Sequence, residues 1–373
     1  MLVNSGMIFS SPRPGNPAGG RSAILPVFLP FAGCRTRCLY CAQTAQTGQP
    51  ETPVSSLEAA WYQLDALLAE RRRAGATPVE VAFYGGTFTA LPGDWPDRFI
   101  RLAMSYAIDG GEQDAPGNAS CGGTKGDGQA QRGGVVGVRC STRPDAVDPA
   151  LLSRLAGQGL RTVELGVQSF DDAVLRTSLR GYGGAQAEAA CRMVQHAGLT
   201  LGIQLLPGLP GHTPSMLADD MERARALAPA HMRLYPCVVV RGTGLARMYT
   251  RGDYVPWSLD VAADACANAL LAAWERGIPV IRVGLAQEPG LTDHVLAGPY
   301  HPSFGTMARG RALQLFLTRK LAEFGRPPRL LMAPQSVRGE FWGVKGECKA
   351  GYAVMGLTPD HVRWWHEPHF LLE

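Results

Sequence analysis

The strongest constraint on the fold is an alternation along the chain. Short apolar runs that favour β-strands are followed by longer segments rich in Ala and Leu. Strands that alternate with helices are joined by right-handed crossovers and form a parallel sheet. The sequence therefore predicts an α/β fold, a partial (βα)6-type version of the TIM barrel. Predicted strands occupy residues 24–31, 79–84, 135–140, 162–167, 199–206 and 232–240, and predicted helices occupy 56–74, 94–107, 149–158, 185–197 and 215–227.

Three regions depart from this order. Residues 1–22 are rich in Gly, Pro and Ser and predict a flexible leader, so the barrel is expected over 23–260. Residues 109–134 are dominated by Gly and have almost no large apolar side chains, which predicts a disordered insertion with Cys121 as an incidental exposed thiol. Residues 261–373 are expected to form a small C-terminal α/β extension, with helices at 261–276 and 304–324 and an apolar run at 280–285.

Composition excludes several classes of protein. With 46% hydrophobic residues in 373, the chain can bury a core, so wholesale disorder is excluded. A formal net charge of +4 permits an RNA partner without arguing for one, and no DNA partner is expected. Apolar runs fall short of the roughly 18 residues that a membrane span needs. Without a signal-peptide-like stretch before Arg21, the protein is expected to be cytoplasmic.

Three cysteines lie close together on the loop that leaves the first predicted strand. Cys34, Cys38 and Cys41 follow the spacing CxxxCxxC, and the chain's nine cysteines, an odd number, favour reduced thiols over a disulfide framework. Such close spacing indicates a metal centre. The alternatives are three ordinary cysteines, or a zinc site completed by a distant histidine. An iron–sulfur cube takes four thiolates, so three would leave one iron open for chemistry.

Polar residues and glycines follow the other predicted strands, where a barrel has its mouth. A Gly-Gly pair lets backbone approach a ligand, arginines clamp carboxylates, and a glutamine suits a ribose. Taken singly, Arg180 could be a surface charge, Gln168 a strand-end cap and Asp145 a helix N-cap, but these explanations leave their shared position unexplained. The candidate residues are Gly85, Gly86, Thr87, Ser141, Arg143, Gln168, Arg180 and Gln204.

Together these motifs resemble the radical S-adenosylmethionine (SAM) superfamily, in which an aromatic residue, here Tyr40, precedes the last cysteine. Over residues 25–254 the chain is similar to the Elongator catalytic-subunit-like branch, and more loosely to oxygen-independent coproporphyrinogen oxidase. The motifs that carry this similarity are Gly-Gly-Thr-Phe-Thr at 85–89, Ser-Thr-Arg-Pro-Asp at 141–145, Glu-Leu-Gly-Val-Gln-Ser at 164–169 and Pro-Gly-Leu-Pro-Gly at 207–211.

The resemblance implies a [4Fe-4S] cluster on Cys34, Cys38 and Cys41, with the amino and carboxylate groups of SAM on the fourth iron. It also implies an external one-electron reductant of the flavodoxin or ferredoxin type. The reduced cluster would cleave SAM to a 5′-deoxyadenosyl radical that abstracts hydrogen from the substrate. Tyr40 would lie near the adenine, with simple packing as its alternative. Implied SAM contacts are Tyr40, Gly85, Gly86, Thr87, Ser141, Arg143, Gln168, Arg180 and Gln204.

The chain also departs from that branch. The Elongator subunit spaces its first two cysteines further apart and carries an acetyltransferase domain, for which the region after Val261 is too short. We therefore expect the radical SAM core without acetyl-CoA chemistry, and a tRNA or other RNA substrate as one hypothesis. The alternatives are a radical SAM enzyme acting on a tetrapyrrole or other small metabolite, and a metal-stapled or electron-transfer protein without catalysis. The absence of a fourth nearby cysteine speaks against the last.

Basic and aromatic residues are interleaved in the C-terminal region, a pattern that can bind single-stranded RNA. The alternative is a solvated helix face and the core of a small domain. His294 and His301 are expected to be able to reach the barrel mouth, and Cys348 is a candidate extra ligand or a buried small hydrophobe. The interleaved residues include Arg309, Arg311, Arg319, Lys320, Trp342, Tyr352 and Trp364.

Overall fold

A computed structural model describes residues 6–14, 23–29, 33–34, 36–42, 55–108, 133–285 and 289–373. Most of the predicted insertion, including Cys121, lies outside these ranges. The strands are β1 Met7–Ser10, β2 Ala23–Phe28, β3 Val79–Tyr84, β4 Val135–Thr142, β5 Leu160–Gln168, β6 Thr200–Leu205, β7 His231–Leu234, β8 Val239–Val240, β9 Val280–Val283, β10 Val295–Ala297, β11 Leu331–Pro334, β12 Val362–Trp365 and β13 His369–Leu372.

The helices are α1 Ser55–Arg73, α2 Trp95–Ser105, α3 Pro149–Gly157, α4 Asp172–Thr177, α5 Gly184–His196, α6 Pro214–Ala226, α7 Gly244–Arg251, α8 Leu259–Trp274, α9 Pro289–Thr292, α10 Phe304–Phe324, α11 Arg338–Phe341 and α12 Lys349–Val354. Within the described ranges, none of them is long and apolar enough to cross a membrane.

The central sheet confirms the predicted partial barrel and adds a strand to it. Its seven parallel strands run in the order β2-β3-β4-β5-β6-β7-β9 and form a half-barrel. The extra strand, β9, pairs with β7 and was expected in the C-terminal extension. The alternation weakens before β9 because β8 and α7 intervene, yet α8 still supplies the crossover. The barrel therefore extends past residue 260.

The two faces of this sheet differ in chemistry because successive side chains of a strand point to opposite sides. The outer face is apolar and belongs to the core shared with the helices, through residues such as Val81, Phe83, Val163, Leu165 and Ile203. The inner face carries polar and charged side chains that bond to one another across strands, namely Glu80, Arg139, Glu164, Gln204 and Arg233. The inner face is therefore the side on which a ligand can bind.

A second sheet joins the two ends of the chain. Its order is β1-β13-β11-β12, and Met7–Ser10 pair antiparallel with His369–Leu372. Phe9 stacks on Phe370 with ring centroids 5.3 Å apart, beside a core that includes Phe341 and Tyr352. The expectation of a flexible leader is therefore wrong for Met7–Ser10. Strand β1 cannot be predicted from the local sequence because its pairing partner lies more than 350 residues away.

We predict that Phe9→Ala lowers the free energy of unfolding by about 2 kcal/mol, because it removes a half-buried ring from the second sheet. The matched control is Ile8→Ala on the same strand, whose side chain is 65% exposed and whose loss should cost less than about 0.5 kcal/mol. Urea denaturation of the full chain measures both. Equal small effects for the two variants would contradict the placement of β1.

Candidate active site

Two glycines let the cysteine loop lie against the end of β3. Gly33 has φ +80°, and a Cβ there would come within 2.3 Å of the Thr87 carbonyl oxygen. Gly85 has φ +114°, and a Cβ there would come within 2.3 Å of the Leu29 carbonyl oxygen. Neither position tolerates a side chain. As a result the Cys34 sulfur lies 3.0 Å from the Thr87 hydroxyl oxygen, and half-buried Gly86 lies in the same turn.

Cys38 is the most buried of the three loop cysteines, with 8% of its surface exposed. Its sulfur accepts hydrogen bonds from Arg180 Nη1 at 2.9 Å and from Arg143 Nη1 at 3.3 Å. Two guanidinium donors at one sulfur make the charge-assisted contacts that an anionic sulfur ligand accepts. The middle cysteine therefore sits in a positive environment built by β4 and by the turn after α4.

Arg180 is fixed from several sides and is only 4% exposed. Its Nη2 donates to the Gly166 carbonyl at 2.6 Å, its Nε donates to the Tyr182 hydroxyl at 2.9 Å, and its Nη1 donates to the Tyr40 hydroxyl at 3.1 Å. The explanation of Arg180 as a surface charge is therefore wrong. The arginine instead joins the cysteine loop to the end of β5.

Arg143 is held by a two-point contact with a carboxylate. Its Nε and Nη2 each donate to an Asp145 oxygen at 2.8 Å, and Nη2 also donates to the Arg180 carbonyl. The short helical turn Pro144–Ala146 begins after Arg143, so Asp145 is not the N-cap that one alternative supposed. This geometry leaves Nη1 of Arg143 directed at Cys38.

The backbone of the cysteine loop is anchored by two elements that the sequence analysis missed. The Leu39 N–H donates to the Ser178 carbonyl at the end of α4, at 3.1 Å. The Leu39 carbonyl accepts from the Leu245 N–H in the first turn of α7, at 2.8 Å. Both helices have a local start signal, since Asp171 and Thr243 cap them through side-chain hydrogen bonds.

The three thiols affect one another electrostatically. Burial, opposed by the Thr87 hydrogen bond, raises the pKa of Cys34, and burial with the charges of Cys38 and Cys34 raises the pKa of Cys41 to about 12. Binding a metal would therefore release protons from these thiols. Within the described residues, no three His, Cys, Asp or Glu side chains are close enough to hold one metal ion.

Gln168 lies at the end of β5 in a conformation that non-glycine residues seldom adopt, with φ +71°. Its Nε2 would be 2.7 Å from a Cβ at Gly166, and Arg180 Nη2 borders the same glycine. The pairing of β5 with β6 is irregular at this point. Strained backbone is often retained at ligand sites, and here the Gln168 amide lies next to Gly166, the glycine that Arg180 also borders.

Ser141 and Gln204 belong to a separate group on the inner face, centred on Glu164. Gln204 Nε2 donates to Glu164 at 3.0 Å and to the Ser141 hydroxyl at 3.2 Å. Glu164 is fully buried and also accepts from Arg139 Nη1 at 3.2 Å and from Arg233 Nη2 at 2.9 Å. This role of Glu164 was not predicted from the sequence. Charged residues at alternate positions of strands that are otherwise apolar were the signal that could have revealed it.

The ionic partners of Glu164 control its ionisation. Burial alone would raise its pKa, but the His231 hydrogen bond and the Arg233 guanidinium outweigh burial and lower the pKa to about 2. His231 Nε2 lies 3.2 Å from the carboxylate. Glu164 therefore stays charged through the physiological range, and its pairing stabilises the fold above the pKa of an unfolded glutamate.

Basic residues of α10 are engaged by carboxylates, which argues against their forming an RNA-binding face. Arg311 alone contacts three: Asp260 at 2.7 Å, Asp264 at 2.9 Å and Glu347 at 2.7 Å. The other ion pairs of this helix are Arg309–Glu340, Arg319–Glu275 and Lys320–Glu323. The alternative of a solvated, ion-paired helix face describes these residues better.

The aromatic and cysteine candidates of the C-terminal region form its core. Trp342, Tyr352 and Trp364 pack around Phe341 with ring centroids 4.7 to 5.3 Å from its ring. Cys348 is 2% exposed in the same core, and burial raises its pKa to about 11, so it behaves as a small hydrophobe. The RNA-stacking interpretation does not fit these side chains.

The two loop histidines make local contacts. His301 Nδ1 accepts from the Ser303 N–H at 3.0 Å, and exposed His294 has its Nδ1 2.6 Å from the Gly290 carbonyl oxygen. His294 also accepts, through its backbone carbonyl, from the Arg241 N–H at 2.7 Å. Both act as loop residues in this structure, and neither bonds to the part of the cysteine loop that the structure describes.

We predict that Glu164→Gln lowers the free energy of unfolding at pH 7 by about 3 kcal/mol, because two arginines lose a buried partner. The folded pKa, about 2, lies below the unfolded value of about 4.3, so the wild-type advantage is complete above pH 5. It is lost as the pH falls toward 2. Urea denaturation between pH 7 and pH 3 should show the two proteins converging.

The control for this prediction is Glu222→Gln, which removes an exposed ion pair and should change stability by less than about 0.5 kcal/mol. A difference between Glu164→Gln and wild type that stays constant across this pH range would contradict the ionic role of Glu164.

Models of two protein families match the chain. The first, described as the Radical SAM superfamily, matches residues 28–224, and the second, described as the Radical_SAM C-terminal domain, matches residues 229–313. The first match alone covers more than half of the 373 residues. It includes all three loop cysteines and the strands β3 to β6.

Curated relatives share part of their length with this chain. A tRNA uridine(34) acetyltransferase of Dehalococcoides mccartyi is 28% identical over 290 residues, which cover 70% of this chain and 60% of the relative. Elongator complex protein 3 of Danio rerio is 28% identical over 286 residues, covering 68% of this chain and 50% of the relative. The chain thus spans half to three-fifths of the length of these two relatives.

A solved structure supports the fold. The archaeal Methanocaldococcus infernus Elp3 with an N-terminal deletion superimposes with a TM-score of 0.55 at 19% identity, covering 91% of this chain and 70% of that one. The likeness extends beyond the half-barrel into the C-terminal sheet, since nearly the whole chain is covered.

Proposed function

The chain belongs to the radical SAM superfamily and is a radical SAM enzyme, and we propose that its three-cysteine loop holds a [4Fe-4S] cluster and SAM at the carboxyl ends of the barrel strands. The observation that carries this proposal is the contact of Cys38 with two buried arginines, Arg143 and Arg180. The family implies both cofactors. When bound, they supply an electron and a 5′-deoxyadenosyl radical that removes hydrogen from the substrate.

The residues around the loop have distinct proposed roles. Cys34, Cys38 and Cys41 are the cluster ligands. Arg180 and Arg143 stand beside the middle ligand, where guanidinium groups also suit the SAM carboxylate. Tyr40 lies against Arg180 and is proposed to border the adenine.

The backbone around the site completes the proposed SAM pocket. The Gly85-Gly86-Thr87 turn would offer carbonyl groups to the amino group of SAM, since its glycines leave the backbone uncovered. The strained Gln168 would bond to the ribose. Ser141 and Gln204 are proposed to contact SAM from the inner face, where both belong to the Glu164 group.

The first candidate substrate is an RNA nucleotide, tRNA above all. It is supported by the similarity to a tRNA uridine(34) acetyltransferase. Because the chain spans only part of that relative, its acetyl transfer is not part of the proposal. An external one-electron reductant of the flavodoxin or ferredoxin type would be the redox partner.

The second candidate substrate is a small metabolite. The observation that favours it is the arginine-lined inner face, which differs from the open basic surface that RNA binding requires. The ion-paired arginines of α10 also favour a small metabolite, because their charges are already neutralised by carboxylates. The two candidates share the same radical chemistry and differ in the molecule that donates the hydrogen.

We predict that the protein, reconstituted with iron and sulfide under anaerobic conditions and then reduced, converts SAM to 5′-deoxyadenosine. Cys38→Ala should lower the rate of deoxyadenosine formation by about 100-fold or more, because the cluster loses a ligand. The matched control is Cys266→Ala, which removes a fully buried cysteine of α8 remote from the loop and should keep both iron and activity. Deoxyadenosine is quantified by liquid chromatography.

Equal iron content and equal rates in wild type and Cys38→Ala would contradict the cluster assignment. A tRNA pool and a small-metabolite extract are then added separately to the active wild type. Stimulation of deoxyadenosine formation by tRNA alone supports the first substrate, and stimulation by the extract alone supports the second.

A further inference from the structure

The inner face of the half-barrel carries more guanidinium groups than carboxylates. Arg139 pairs with Glu80 at 2.5 Å and with Glu164 at 3.2 Å. Arg233 pairs with Glu164 through two contacts, Nη2 at 2.9 Å and Nε at 2.8 Å. Both carboxylates that the described strands place on this face, Glu80 and Glu164, are therefore already engaged. A further arginine on this face therefore has no carboxylate of the face left to pair with.

Arg282 on β9 is such a charge. It is the register partner of Arg233 on the neighbouring strand, so the two side chains lie on the same face. Its Nε donates to the Gly284 carbonyl at 3.3 Å. Among the described residues no carboxylate lies within ion-pair distance of it. Like charges side by side on neighbouring strands repel, so an anion bound there would stabilise the pair.

Two tyrosines add donors beside Arg233, and the charge of Arg282 also acts on one of them, Tyr235. The Tyr84 hydroxyl accepts from Arg233 Nη2 at 3.1 Å, and the Tyr235 hydroxyl accepts from Arg233 Nη1 at 3.2 Å. A phenol that accepts a hydrogen bond still has its own proton to donate. In the part of the chain that the structure describes, neither proton has a protein acceptor.

These phenols remain protonated at neutral pH. Burial, followed by the charge of Glu164, raises the pKa of Tyr84. Burial also raises the pKa of Tyr235, although the Arg233 and Arg282 charges oppose it. Both side chains are half-buried, so a ligand can still reach them. Arg233, the register neighbour of Arg282, is thus flanked by two phenol donors. Among the described residues, Arg282 itself has no carboxylate partner.

We propose that Arg282, Tyr84 and Tyr235 form an oxyanion subsite that takes a carboxylate or phosphate group of the substrate. The planar guanidinium of Arg282 can bind two oxygens, and each phenol can donate to one more. As a substrate subsite it rests on the proposed function, whereas the binding of an anion does not. The oxyanion can come from a small metabolite or from an RNA phosphate.

The test uses the full-length reconstituted protein in its oxidised state, saturated with SAM so that the arginines beside the cysteine loop are occupied. Inorganic phosphate and acetate are the probes, and isothermal titration calorimetry measures their binding. Wild type should bind at least one of them. Arg282→Gln should weaken that binding by about 10-fold or more, and Tyr235→Phe by about 3-fold or more, because each loses a donor to an anion.

The matched control is Arg276→Gln, an exposed arginine just after α8, which should bind the probe within about 2-fold of wild type. Circular dichroism and iron content confirm that each variant is folded and loaded. Binding of neither probe by wild type, or equal binding by wild type and Arg282→Gln, would overturn the subsite.

Two further comparisons identify the source of the oxyanion and distinguish failure of the subsite from failure of the proposed function. If Arg282→Gln weakens the binding of unfractionated tRNA, the subsite takes an RNA phosphate. If only the small anions are affected, it takes a metabolite. Wild type that forms deoxyadenosine and binds no anion refutes the subsite alone. Wild type that binds the anion and never cleaves SAM refutes the proposed function alone.

Discussion

The charge of Glu164 organises the inner face of the sheet. A carboxylate with no solvent exposure is costly unless it is paired, and its partners come from the strands around it. Arg139 is on β4, Gln204 on β6, and Arg233 on β7. Arg233 in turn positions Tyr84 and Tyr235. A barrel interior filled with branched apolar side chains would be a packed core, whereas this polar interior suits a ligand.

The cysteine loop depends on a second constraint, the close approach of the segments that follow β2 and β3. Gly33 and Gly85 allow it, and a side chain at either position would collide with backbone. Arg180 then joins the loop to β5, because the same guanidinium bonds to Cys38 and to the Gly166 carbonyl. The loop is thus fixed on several sides by elements far apart in sequence. Such fixation is what a cofactor site requires, since small displacements of ligands cost affinity.

Much of this arrangement could be predicted from the sequence. The period of apolar runs gave the half-barrel, and the spacing of Cys34, Cys38 and Cys41 gave the position of the loop. Strand β1 could not be predicted because its partner is at the other end of the chain. The burial of Arg180 is equally non-local, since it follows from contacts with residues up to 142 positions away. By contrast, α7 carries a Thr243 N-cap and a Gly252 C-cap, both visible in the sequence.

We propose that the cysteine loop binds a cluster with one iron open to SAM. Electron paramagnetic resonance of the reduced, reconstituted protein, recorded with and without SAM, tests this proposal. We expect a signal of a reduced [4Fe-4S] cluster whose shape changes when SAM is added, because SAM would bind the iron that lacks a cysteine. A cluster signal that SAM leaves unchanged, or a protein that takes up zinc and no iron, would contradict it.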